Sequence, residues 1–339
     1  MVTTRQASIL KAIVEEFIKT AQPVGSKTLM TTYKLPYSSA TIRNEMMALE
    51  NENLLEKTHT SSGRIPSTLG YRYYVEHLMD PIINEEEKQE IATVFDNSKF
   101  SFEEAIQKSC DVVSHMTSLT SIVLGPDAKS QKLRHIKMFP IDEQTAVAVF
   151  ITDQGHTENK TFHFDESVSV DDISKCTEIL NDRLSGTPVE QIADKMASIK
   201  PILAKEVKRA EVLFNAFLQA FVKFASRSMY YSGAGNMLYQ PEFSDIDKLK
   251  DLMKMLEDSS AWKQITANAN STALKNTDDD SELIWTDDYA IATKKLMTDD
   301  KEQAQLMVLG PRRMNYEEIL SILNYTAEAF KQRYGKKKK

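Results

Sequence analysis

Apolar residues near the start of the chain recur at helical spacing. Ile9, Leu10, Ile13, Val14, Phe17 and Ile18 fall three to five residues apart and form one stripe, which predicts an amphipathic helix. Pro23 and Gly25 end it, and Ser26 is suited to cap a second helix through Leu29 and Met30. Leu35-Pro36 then interrupts, because a residue before proline avoids the helical region. A third helix is predicted from Ser38 or Ser39. Its Ile42, Met46 and Leu49 stand at i, i+4 and i+7 and face inward. Ala40, Arg43, Asn44 and Met47 then occupy the opposite side. Leu54–Lys57 reads as a short strand, followed by a small, polar turn from Thr58 into Gly63-Arg64-Ile65-Pro66. Tyr71, Tyr73, Tyr74 and Val75, ahead of Pro81, predict a packing helix that joins this region to the rest.

Further on, the periodicity alternates between helix and strand. A helix is expected near 101–118, carrying Phe102, Ile106, Cys110 and Val113. Strands are expected at Ser121–Leu124, His135–Ile141, Ala146–Thr152 and Thr161–Phe164, with a turn at Asp153-Gln154-Gly155. Residues 169–232 become helical, punctuated by Pro188 and Pro201. A helix is then expected from about Ile202 to Tyr230. On it Ala210, Phe214, Phe217, Phe221 and Phe224 are spaced 4-3-4-3, and Leu213, Leu218 and Val222 widen the stripe. That surface is broader than one facing layer usually covers, so it is either intrachain core or a dimer interface; the interface is expected. After Gly233 the pattern returns to α/β, with a helix around 245–257, strands at 283–286 and 305–309, a solvated loop at 278–280, and a last helix over 316–334 opened by Asn315 and Glu318.

These elements predict an α+β multidomain chain. The expected divisions are a winged helix-turn-helix at 1–80, an α/β domain at 81–168 and 233–339, and an inserted helical domain at 169–232. The polar side of the third helix matters most for function. Arginine pairs bidentately with guanine and asparagine with adenine, and small neighbours let a helix approach the bases. A solvated helix shows the same polar side, so the helix alone decides nothing. Two helices before it and a basic turn after it form the order that reads a DNA major groove. Arg43 and Asn44 are therefore expected to read bases, with Ser39 and Thr41 on phosphate or capping the helix. His59, Ser61 and Arg64 are expected to serve the turn, where hydroxyls and a guanidinium suit phosphate or minor-groove contact.

Charge at first sight opposes that reading, since the chain carries a net −7. The distribution softens the objection: residues 1–80 hold nine Lys/Arg against eight Asp/Glu, and the remainder 33 against 41. Non-specific attraction should be modest, which leaves specificity to base contacts and to doubling by a dimer. The closing run Lys336–Lys339 reads as a solvated end. The chain has 339 residues, enough for two or three domains, with no apolar run long enough for a membrane span, and no secretory leader is expected. Cys110 and Cys176 are far apart and suit a reducing compartment, so a cytoplasmic location is expected. Catalytic signatures are missing from the sequence: Gly233-Ala234-Gly235-Asn236-Met237-Leu238 lacks the third glycine of a dinucleotide loop, and no phosphate-binding loop or zinc-protease motif occurs. No enzyme, cofactor or metal is expected. The competing reading is a ligand-gated regulator whose α/β domain binds a small effector.

Three runs carry a family resemblance: Ser39-Ala-Thr-Ile-Arg-Asn-Glu-Met46, His59-Thr-Ser-Ser-Gly-Arg-Ile-Pro-Ser67 and Gly70-Tyr-Arg-Tyr-Tyr-Val75. Together they resemble the HrcA heat-inducible transcription repressors, with conservative departures at Glu45, Thr58, Ser62 and Ser67. A weaker likeness continues through Gln240-Pro-Glu-Phe-Ser-Asp245 and Leu309-Gly-Pro-Arg-Arg-Met-Asn-Tyr316. The resemblance implies a GAF-like domain carrying an inserted dimerisation domain. It also implies a homodimer on an inverted-repeat operator before chaperone operons, kept competent by the GroE chaperonin. Around 265–292 the family's usual Gly-Glu strand is missing, and its Ser-Leu-rich segment appears only as Ile284–Ala292.

Overall fold

The structure is a computed structural model. It describes residues 2–58, 63–80, 83–96, 100, 102–125, 131–153, 157–164, 168–224, 229–257, 262, 273–275, 280–298 and 301–335. The expected turn at 153–155, the loop at 278–280 and the lysine end at 336–339 fall wholly or partly outside these residues. The chain begins with α1 (Thr4–Thr20), α2 (Ser26–Thr31), α3 (Ser39–Asn51), β1 (Leu55–Lys57), β2 (Arg64–Pro66) and α4 (Thr68–His77). Next come α5 (Glu85–Asp96), α6 (Phe102–Thr117) and β3 (Thr120–Leu124). They are followed by β4 (Leu133–Pro140), β5 (Thr145–Thr152), β6 (Thr157–His163), α7 (Val170–Leu184), α8 (Val189–Glu206) and α9 (Ala210–Phe224). The chain then forms β7 (Met229–Ser232), two 3₁₀ turns (Ala234–Tyr239 and Pro241–Phe243) and α10 (Ile246–Glu257). It closes with β8 (Ala273–Lys275), β9 (Ser281–Trp285), β10 (Ala290–Thr298), β11 (Lys301–Gly310) and α11 (Tyr316–Tyr334). The architecture is mixed α/β, in two compact units: Met1–Leu124 with Met229–Lys339, and Gly125–Ser228.

The first unit is built on an antiparallel sheet of order β7-β3-β11-β10-β9-β8. Alternation along its strands feeds two cores, one on each face. Val123, Leu283, Trp285, Ala292, Leu306 and Val308 meet Ile91 of α5, Cys110 of α6 and Ile319, Leu323 and Phe330 of α11. Their neighbours Ile122, Leu124, Ile284, Ile291, Met307 and Leu309 turn the other way, against Phe243, Leu252, Leu256 and Trp262. β10 escapes the sequence reading because its first half is buried on both faces and so never alternates. β7 does too: Tyr230, expected at a helix end, sits in a strand opposite Val123.

The amino-terminal helices share the first of these cores, through Ile9, Ile13, Ile42, Leu49, Tyr71 and Tyr74. Thr3 and Gln6 form a reciprocal capping box at the start of α1, and Ala21 ends it in the left-handed conformation. β1 and β2 pair antiparallel, with Lys57 opposite Arg64. Val24, between α1 and α2, adds a third rung by exchanging 2.9 Å backbone hydrogen bonds with Arg64. Gly70 lets α4 pass close beneath β1, since a Cβ there would lie 2.0 Å from the Leu54 carbonyl oxygen.

The second unit corrects three expectations. The insertion spans Gly125–Ser228, not 169–232, because the expected strands β4–β6 form a separate three-stranded sheet. That sheet buries one face only: Leu133, Ile136, Ala148, Phe150 and Phe162 close a core with Ile173, Leu180 and Phe217 from the helices. Phe214, Phe217 and Phe221 of the phenylalanine stripe are part of this core and not a dimer surface, while the side chains of Val222 and Phe224 lie outside the described residues. Phe217 is 0% and Phe221 1% exposed, and their rings meet Phe162 and Phe150 at centroid distances of 5.5 and 5.0 Å. The stripe is broad because α9 faces a sheet and two helices at once. The long helix expected from Ile202 is also divided. α8 runs through Pro201 and stops at an extended Val207, and buried Asp172 accepts the next N–H, from Lys208, at 2.9 Å.

Candidate nucleic-acid interface

The amino-terminal end of α3 is held from within. Ser38 caps it, accepting the Thr41 N–H at 3.1 Å and sharing a 2.9 Å hydrogen bond with the Thr41 hydroxyl. Ser39 Oγ lies 2.9 Å from Ser26 Oγ, which ties the first turn of α3 to the first turn of α2. Ser39 and Thr41 therefore set the angle and start of the helix in this structure. Ile42, Met46 and Leu49 are buried below it. Ala40, Arg43, Asn44 and Met47 are exposed above, Met47 at 51%, so α3 presents a small, cationic and amide-bearing ridge to solvent.

Both flanks of α3 carry carboxylates, and both are engaged. Arg5 of α1 pairs with Glu45 at 2.7 Å and lies 5.7 Å over the Tyr37 ring. Arg64 of β2 reaches back to Glu50, with Nε at 2.8 Å and Nη2 at 2.7 Å from one carboxylate oxygen. The Arg64 side chain is 12% exposed and lies against α3. The other two turn residues, His59 and Ser61, lie outside the described residues. Three further cations, Lys27, Lys34 and Lys57, are exposed on α2, on the loop before α3 and on β1, and no motif marks them. Lys57 was legible, since it alternates outward from buried Leu55.

A second cluster missed by motif reading joins the amino-terminal helices to the six-stranded sheet. Arg313 donates to Glu242 from Nε at 2.6 Å and from Nη2 at 3.2 Å, to Gln240 at 3.1 Å, and to the Ile18 carbonyl of α1 at 3.2 Å. Neighbouring Arg312 donates to Thr68 Oγ1 of α4 at 2.7 Å. The Tyr316 hydroxyl accepts from Trp285 Nε1 at 2.8 Å and donates to the Arg312 carbonyl, while its ring packs 5.5 Å from that of Tyr71. Burial pushes both phenols above the usual tyrosine range, so they remain neutral. The run Leu309–Tyr316 is thus a joint; only the double arginine after Gly310-Pro311 hinted at it.

Among the described residues no group of His, Cys, Asp and Glu is arranged to hold a metal ion. Nor is any described helix long and apolar enough to cross a membrane. Cys110 and Cys176 are free and buried, and burial pushes each thiol up to about 12, which keeps it unreactive. An open groove of 490 Å³ lies in the second unit between β4 and α7, lined by polar residues such as His135, Glu178 and Asn181.

The family model of the HrcA protein C terminal domain matches residues 103–320. The heat-inducible transcription repressor HrcA of Bacillus pumilus is 39% identical over 331 residues, covering 97% of this chain and 96% of the relative. The protein of the same name from Oceanobacillus iheyensis is 35% identical over 324 residues, covering 95% and 94%. A solved structure known only as that of a hypothetical protein shares the fold, with a TM-score of 0.62 at 17% identity, covering 98% of this chain and 99% of its own. The relatives are repressors of transcription and not enzymes. The chain belongs to the HrcA family of heat-inducible transcription repressors.

Proposed function

We propose that the chain represses chaperone operons by inserting α3 into the major groove of an inverted-repeat operator, as a homodimer. The observation that carries the reading is the exposed ridge of Ala40, Arg43, Asn44 and Met47 on a helix whose own carboxylates are engaged sideways. In this reading residues 1–80 are a winged helix-turn-helix and β1–β2 its wing. Arg43 and Asn44 contact bases, Ser39 and Thr41 orient the helix start, and His59 and Ser61 serve the wing. The six-stranded sheet flanked by helices is the GAF-like domain, and Gly125–Ser228 is its insertion.

Homodimerisation is supported by the family resemblance and by symmetry: two identical helices set about 34 Å apart match an inverted repeat in successive major grooves. Phe214, Phe217 and Phe221 of α9 are not available for that contact, being core. Maintenance by the GroE chaperonin, with release on heating, rests on the resemblance. Its test is operator affinity of the purified dimer, with and without chaperonin, after a heat step; undiminished affinity without chaperonin sinks it.

Fluorescence anisotropy on the inverted repeat of a chaperone promoter, against a scrambled duplex at fixed salt, tests the central proposal. A preference of about a thousandfold or more is expected for a specific repressor. Arg43→Ala is expected to cost about 1–3 kcal/mol on the operator, relax preference at one base position and leave scrambled DNA nearly unchanged. Equal losses on both duplexes would remove Arg43 from the bases.

A further inference from the structure

We propose that Arg64 is a positioning residue of DNA recognition: through Glu50 it fixes the β1–β2 hairpin against α3, and Lys57 makes the phosphate contact at this edge. The inference rests on the reading of α3 as the recognition helix.

Three observations carry it. The guanidinium is committed twice to one Glu50 oxygen, at 2.8 and 2.7 Å, in a side chain only 12% exposed. Its backbone is held on both sides, by Lys57 in the β1–β2 ladder and by Val24 through two hydrogen bonds of 2.9 Å. Just before it, Gly63 lies so close to Pro23 that a Cβ would stand 2.8 Å from the proline carbonyl carbon, so the strand has no room to shift that way. To reach a phosphate, the side chain must abandon Glu50, which sits in the last turn of α3. That would leave a half-buried carboxylate unpaired beside a polyanion, an unfavourable exchange twice over. Lys57 carries no such obligation to α3. It is the register partner of Arg64 on the neighbouring strand, and its side chain is exposed.

The two assignments predict opposite behaviour. Let the duplex be the one that the wild-type full-length protein selects from a randomised library, compared with a scrambled duplex over a salt series. If Arg64 positions, Arg64→Ala and Glu50→Gln each lose about tenfold in affinity for the selected duplex, and the double variant loses no more than either alone. The slope of log affinity against log salt stays at its wild-type value in Arg64→Ala, whereas Lys57→Ala lowers it by about 0.9, one phosphate. If Arg64 instead neutralises phosphate, its removal lowers that slope by the same amount, and Glu50→Gln frees the guanidinium and tightens binding to both duplexes; either result overturns the proposal. Should Arg64→Ala fail to fold, Glu50→Gln decides alone, because the two assignments predict opposite signs for it. A wild-type protein that cannot distinguish selected from scrambled DNA refutes the α3 reading. One that can, with Glu50→Gln unchanged, refutes only the role of Arg64.

Discussion

Phe217→Ala is expected to lower the unfolding free energy of the second unit by about 3–5 kcal/mol. Phe217 has no exposed surface, and its ring contacts those of Phe150, Phe162 and Phe221 at centroid distances of 6.2, 5.5 and 6.2 Å. Truncation therefore removes a large apolar area and several ring-to-ring contacts from a centre shared by β5, β6 and α9. The surrounding rings cannot all move into the void, because β5 is hydrogen-bonded on both sides. Chemical denaturation followed by circular dichroism checks the prediction, and protein concentration separates the two roles a stripe of this kind can have. A core residue lowers the midpoint equally at every concentration. An interface residue lowers it at high concentration and spares the dilute protein. The second result would return the stripe to the surface.

Arg313→Ala is expected to cost about 2–4 kcal/mol and to loosen the end of α1. The side chain is 15% exposed and satisfies Glu242, Gln240 and the Ile18 carbonyl together, so its loss strands a partly buried carboxylate and a helix-end carbonyl. Arg313→Lys keeps the charge but not the planar fork, and should recover only a minor part of the loss. Thermal melting gives the magnitude. Hydrogen exchange of the amides in the last turn of α1 gives the location, since faster exchange there and not in α9 is expected. Unchanged protection of that turn would show that Arg313 does not join α1 to the sheet.

Local periodicity made much of the first unit legible. Ile9 through Ile18 announced α1, and Ile42, Met46 and Leu49 announced the buried side of α3 with its exposed ridge, because each stripe has a single partner surface. Periodicity misled where an element meets several partners. The α9 stripe looked too wide for one chain because it packs on a sheet and on neighbouring helices, and β10 looked irregular because both its faces are covered. Strand pairing was invisible for a different reason. Nothing local in His135–Ile141 or Ala146–Thr152 states that they pair with each other and not with β3. At the candidate site, exposure could be read from spacing but commitment could not. Arg64 and Lys57 are both cations near a turn, and only the position of Glu50 in space separates the one held inward from the one facing out.

The antiparallel pairing of β3 with β7 gives the insertion an unusual thermodynamic standing. Leu124 and Met229, which bracket the whole of Gly125–Ser228, are register partners in that ladder. The sheet therefore treats everything between them as the loop of one hairpin. Were the insertion to melt, its ends would remain clamped side by side, and each doubling of an open loop costs only about 0.6 kcal/mol in closure entropy. Loss of the inserted core thus asks the β3–β7 ladder to hold an open loop closed, at about 4 kcal/mol in closure entropy for a segment of this length. Two melting transitions, one for each unit, are therefore the outcome expected of calorimetry on the full chain, and a single cooperative transition would show that the ladder couples them.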